Sequence, residues 1–173
     1  MESGERALTN IVFLMIVSAI AIGLQITTMG FLISPSYKPD LMLIVVVWAG
    51  LRVSFAVGMT CIFTAGLFAD LFSGSPTGLF ALIYSFIFVI GAYVHSAVRI
   101  DSPDGRAVIV LAGSSMAGSA ALIVRWISGS VDFGWSTVSW IIMRSIITTL
   151  ASLAVFPLLD MLSPGSVRII GED

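Results

Sequence analysis

LMLIVVVWAGLRVSFAVGMTCIFTAGLFA, Leu41 to Ala69, is the stretch whose reading decides the fold. It runs 29 residues with one charge, Arg52. As a single helix it exceeds the roughly 20 residues an ordinary membrane span needs. As two helices broken near Arg52–Ser54, the first is short. Pro39 to Arg52 is 14 residues, roughly 21 Å at 1.5 Å per residue, against a hydrocarbon core of about 30 Å. Such a helix has to be matched by bilayer thinning, by snorkelling or by shelter inside a bundle.

The flanks say what kind of chain this is. Of 173 residues, 58% are hydrophobic and 10% charged, and the mean hydropathy is +1.08. A soluble domain is about 25% charged, and a surface this poor in charge suits lipid rather than water. Eight Lys+Arg against ten Asp+Glu give a formal charge of −2, which leaves no basic surface for nucleic acid. Cys61 is alone, so neither a disulfide framework nor a cysteine-based metal site is expected. The runs are continuous rather than alternating, which excludes a membrane β-barrel.

Working outward, the chain divides into apolar runs and polar joints. Ala7 to Ile33 carries no charge, and SPSYKPD closes it. Ala19-Ile20-Ala21 mimics a signal-peptide cleavage site, but Glu2 and Glu5 beside Arg6, and an apolar run that continues past Ala21, favour a retained helix. DLFSGSPTG (Asp70–Gly78), RIDSPDGR (Arg99–Arg106) and the Gly/Ser stretch Ser128–Ser136 are the later joints. The expected helices are about 8–33, 39–52, 54–72, 79–98, 107–127 and 137–159, with Pro157 and Pro164 bracketing the last end. Together they form a single all-α transmembrane domain over residues 1–173.

Charge decides between five crossings and six. With six, Arg6, Arg52, Arg99, Arg106 and Arg168 collect on one side, leaving Lys38 and Arg125 on the other. Cytoplasmic loops carry the Lys/Arg excess. The sequence therefore predicts a bundle of about six transmembrane helices with both termini cytoplasmic.

Few polar residues remain to explain. Asp40 follows a proline and opens an apolar helix, the place of an N-cap; a partner contact is compatible with that role. Asp70 closes a helix, where a carboxylate opposes the dipole. Either the turn Ser73–Gly78 donates to it, as in Asx-turns, or it pairs with an arginine. Arg144 is the most deeply placed charge, about 10 Å along its helix from Thr137. Pairing with Asp70 is the expectation, with snorkelling as the alternative. Arg125 reads as an interfacial anchor. His95, the one histidine, has no Cys or carboxylate partners in sequence and reads as an interfacial side chain rather than a metal ligand.

Small residues form the second pattern. Gly50, Gly58, Gly66 and Gly74 recur every eight residues, and Gly58 and Gly66 share a face of one helix. Gly113/Ala117 and Ser114/Gly118 have the spacing that lets helix backbones approach. That approach serves packing within the bundle or the docking of a partner's helix. No GxSxG, HExxH, Walker or Rossmann pattern occurs. The central stretches of the first, third and fourth helices carry no charge, unlike the midplane of a transporter. Neither enzyme activity nor a cofactor nor a metal is expected.

Two segments carry a resemblance. PDLMLIVVVWAGLR, Pro39 to Arg52, is followed by AGLFADLFSGSPTGLFAL, Ala65 to Leu82. In order, spacing and total length the chain resembles the MreD family of bacterial rod shape-determining proteins, whose pattern has a PDL segment and then a Gly-Leu-x-x-Asp-Leu-x-x-Gly-x-x-x-Gly segment. On that pattern Pro39, Asp40, Gly66, Asp70, Gly74 and Gly78 are candidate structural or partner-contact residues, and Arg144 joins them from its depth. Helices five and six resemble the family only as apolar spans.

The resemblance implies a multi-pass subunit of the bacterial inner membrane, within the machinery that elongates the peptidoglycan wall, and no enzymatic activity. It implies as partners the single-span protein MreC, through it the actin-like MreB, and the synthase RodA with its transpeptidase, beside membrane lipids. The family also looks like the six-helix substrate-binding subunits of energy-coupling vitamin transporters, which supplies the alternative function. For that role the outer loops SPSYKP, SGSPTG and SGSVDFGW are poor in hydrogen-bonding side chains, although Tyr37 and Trp135 offer stacking surfaces.

Overall fold

The computed structural model describes residues 2–31, 38–73, 78–97, 102–127, 129 and 134–163. Among these there are six helices and no strand: α1 (Glu2–Phe31), α2 (Leu41–Arg52), α3 (Phe55–Ser73), α4 (Leu79–Ala97), α5 (Pro103–Ile127) and α6 (Trp135–Leu162). Five of them are long and apolar enough to cross a membrane; α2, with 12 residues, is not.

The stretch Leu41–Ala69 is two helices. Val53 is extended and its N–H still closes the last turn of α2 on the Ala49 carbonyl at 2.8 Å, while the Ser54 carbonyl accepts the first bond of α3, from Gly58 N–H at 2.9 Å. Shelter is what matches α2 to the bilayer. It packs against each of the other five helices, and every residue from Met42 to Leu51 is buried. At 1.5 Å per residue it is about 18 Å long, a central pillar that meets protein on all sides. An apolar run with no polar face is the pattern of a helix buried all round. The five outer helices turn Leu8, Ile16, Phe68, Leu82, Phe86, Val108 and Leu150 outward, which suits lipid as solvent.

Contacts along α2 fix directions. Its N-terminal end meets Gln25 from the later part of α1 and Tyr84 from early α4. Its C-terminal end meets Asp160 near the end of α6 through Arg52 and Trp48, Arg106 near the start of α5 donates to the same carboxylate, and the Phe13 ring from the earlier part of α1 lies tilted against Trp48. The start of α1 and the end of α6 therefore lie at the same end of the bundle.

Three boundaries differ from the sequence reading. α1 begins near Glu2 rather than Leu8. α5 starts at Pro103, earlier than residue 107. Pro103 takes the first helical position, where its missing N–H costs nothing, and Ser102 Oγ accepts from Gly105 N–H at 3.3 Å as a cap. Pro157 lies inside α6 instead of bracketing its end. α6 continues to Leu162, forgoing one backbone hydrogen bond at the proline. Pro164 lies outside the described residues.

Candidate functional site

Three polar knots hold the bundle, and the expected site residues that the structure describes fall into two of them. The first is at the N-terminal end of α2. Asp40 caps the helix as its position suggests, Oδ1 accepting from Leu43 N–H at 3.1 Å. The same carboxylate, 3% exposed as a residue, takes Gln25 Nε2 at 2.9 Å, Tyr84 Oη at 3.2 Å and Arg144 Nη2 at 3.0 Å. Its backbone N–H donates to Thr148 Oγ1 at 3.0 Å, and that hydroxyl donates to the Arg144 carbonyl at 2.8 Å. One carboxylate thus ties α2 to α1, α4 and α6. Pro39, half-buried, sets the approach.

Arg144 pairs with Asp40, not with the expected Asp70. The reason is depth. A helix as short as α2 starts below the bundle's rim, so its N-cap meets Arg144 where Arg144 already lies. The guanidinium also sits over the Trp140 ring, 5.4 Å from its centroid.

Asp70 belongs to the second knot, the α3–α4 corner. Its oxygens accept from three backbone N–H groups, Gly78 at 2.9 Å, Phe80 at 2.8 Å and Ala81 at 3.3 Å. At the C-terminus of α3 the carboxylate opposes a dipole. It offsets this by capping the N-terminus of α4, where the dipole favours negative charge. The turn reading holds for Gly78, and the arginine reading is overturned because the amides already occupy the carboxylate. Gly78 itself has φ +96°, a backbone that side chains rarely adopt.

Gly66, one turn before Asp70, makes the capping possible. A Cβ there would stand 2.5 Å from Ala81 Cα and 2.9 Å from Ala81 N. Any side chain would push away the turn that Asp70 caps. Gly58 does the same lower down, where the Phe88 ring occupies the space. Gly74 lies outside the described residues. The tract in α5 packs internally, with Gly113 against Ile87 and Gly118 against Ile141.

The third knot was not foreseen. Asp160, in the last turn of α6, accepts from Trp48 Nε1 at 2.8 Å, Arg52 Nη2 at 3.2 Å and Arg106 Nη1 at 3.0 Å. Arg106 also lies over the Phe156 ring. A signal was available: a carboxylate at a helix C-terminus needs a reason, as Asp70 does, and Trp48 and Arg52 stand one turn apart at the end of an apolar helix.

The arrangement offers little chemistry. No group of three His, Cys, Asp or Glu side chains that could hold a metal occurs among the described residues. The cleft beside Asp40 and Arg144, walled by Phe80, Ser114, Gly118 and Ile141, has a cavity volume of about 10 Å³, on the order of one water molecule. The carboxylates of Asp40, Asp70 and Asp160 are taken up by bonds between helices and at helix ends, while Ser18 Oγ and Ser85 Oγ lie buried without a partner among the described residues.

Fold and knots define a class: an all-helical, multi-pass membrane protein. Residues 5–162 match the family model of the rod shape-determining protein MreD, and the chain belongs to that family. The family ties it to rod shape determination. No curated protein and no solved structure matches the chain.

Proposed function

We propose that the chain is a non-catalytic subunit of the bacterial inner membrane that maintains rod shape within the wall-elongation machinery. Its direct partner is an MreC-like single-span protein, which links it to MreB, to RodA and to the transpeptidase. The observation that carries this reading is the family match over residues 5–162. The geometry supports it: carboxylates that a catalyst or carrier would expose are instead occupied by helix-to-helix bonds. The outer faces are apolar, and a partner's helix docks on such a surface by packing.

Both termini are placed in the cytoplasm, on the arginine asymmetry of the sequence. The Asp40 knot and the α3–α4 corner then belong to the outer half and the Asp160 knot to the inner half. Co-purification of the full chain with a tagged single-span protein encoded beside it tests the function, and a count of copies gives the stoichiometry. Stable recovery of the pair is expected. Recovery instead with an ATPase and a coupling protein would favour the transporter alternative. Cysteine labelling at Ser36, Ser75, Asp104 and Gly134 tests the topology. Positions 36, 75 and 134 should label from outside, and labelling of 104 from outside would refute it.

A further inference from the structure

The Asp160 knot carries one more cation than anion. Arg52 and Arg106 share a single carboxylate oxygen, Oδ2, and Trp48 occupies the other. The Asp40 knot, with one arginine on one aspartate, is neutral. A guanidinium has five N–H donors, and each of these two arginines gives one to Asp160. No other acceptor among the described residues takes a hydrogen bond from either. Yet none of their nitrogens is sealed in without a partner, so the spare donors open to the surroundings. Asp104, in the first turn of α5, is exposed and pairs with neither.

Depth says what those surroundings are. Arg52 is the last residue of α2, Arg106 stands near the start of α5 and Asp160 near the end of α6. All three lie at one end of the bundle, where a chain that spans a membrane would meet lipid headgroups. The side chains are largely withdrawn from solvent, Arg52 22% and Arg106 15% exposed, yet their spare donors stay accessible at the bundle's end. Exposed Leu158, Met161 and Leu162 on the same end of α6 offer apolar surface beside the cations.

We propose that this knot is a binding site for the phosphate of an anionic membrane lipid, held by the unused donors of Arg52 and Arg106. The guanidinium fork matches a phosphate through paired hydrogen bonds. A basic pocket between helix ends is a surface that acidic headgroups occupy. Asp160 sets the strength of the site: it holds both arginines in place and cancels half their charge.

The test is native mass spectrometry of the full chain released from bilayers of mixed phosphatidylglycerol and phosphatidylcholine. The wild type should retain phosphatidylglycerol in excess of its share. Arg106→Gln, which leaves the Arg52–Asp160 pair intact and the knot neutral, should lower that excess about fivefold, the weight of one cation at a membrane surface. Asp160→Asn, whose amide oxygen can still accept from an arginine while the negative charge is lost, should raise it. Opposite signs are the signature, because a merely structural role would shift both variants the same way or neither. If Arg106→Gln does not fold, the salt dependence of the wild type decides, since retention of phosphatidylglycerol should fall as salt rises. Equal retention of the two lipids, or retention indifferent to salt, overturns the proposal. So does thermal protection of lipid-free protein by inorganic phosphate that the lipid does not surpass, which would make the source soluble. Protection by poly-glutamate but not by the lipid would assign the charge to an acidic protein partner and overturn it as well.

Discussion

The two ends of α2 solve one problem in different ways. At Asp40 a nearly inaccessible carboxylate is surrounded by one cation and three neutral donors from four helices. At Asp160 a half-exposed carboxylate is shared by two cations and one indole. The first carboxylate is saturated and its ion pair neutral, and the second carboxylate is shared by one cation more than it can neutralise. Burying a charge is tolerable when its partners are complete. The difference teaches that completeness is reached by neutral donors where the carboxylate is sealed and by a second cation where it is partly open.

Removing a cation should therefore hurt one end far more than the other. Arg144→Met leaves Asp40 buried without its cation and should cost about 3 kcal/mol, read as a large fall in melting temperature of the detergent-solubilised protein. Arg52→Gln leaves a complete Arg106–Asp160 pair and should cost under about 1 kcal/mol. Similar losses for the two would break the comparison.

Next in size is Gly66→Ala, which drives a methyl into the Ala81 backbone and should cost about 2 kcal/mol. Its counterpart is Gly23→Ala in α1, where nothing stands within 4 Å of the new Cβ. That change should be neutral or raise stability by up to about 1 kcal/mol through helix propensity. Parallel melts of the two variants separate close approach from a general intolerance of side chains at glycine.

Smaller still is Asp70→Ala, which strips the cap from α4 and should cost about 1–2 kcal/mol. Rod shape and recovery of the partner should suffer more from it than from Asp132→Ala, in the stretch between α5 and α6. Equal effects would mean that the α3–α4 corner is dispensable to function.

Much of this architecture was legible in the sequence. The six helices could be read because each polar joint interrupts an apolar run, and the N-cap at Asp40 because of where it stands. The centrality of α2 was not legible. A helix apolar on every face announces burial but not which neighbours bury it. The partner of Arg144 was misassigned for a related reason. Asp40 and Asp70 both lie at helix ends, one before α2 and one at the close of α3, and only the depth of α2, a tertiary property, chooses between them. Asp160 was overlooked because Arg52 and Arg106 entered the reading as topology signals alone. Like Asp70, Asp160 is a carboxylate set against a helix dipole and so needs a partner.

The pairing at the Asp40 end is the claim on which the comparison rests, and a double-mutant cycle tests it most directly. Arg144→Met is combined with Asp40→Asn and, separately, with Asp70→Asn, and each combination is melted beside its single variants. A coupling energy of about 1–3 kcal/mol between positions 144 and 40, with additivity between 144 and 70, is the predicted result. Coupling of Arg144 to Asp70 with additivity toward Asp40 would contradict it.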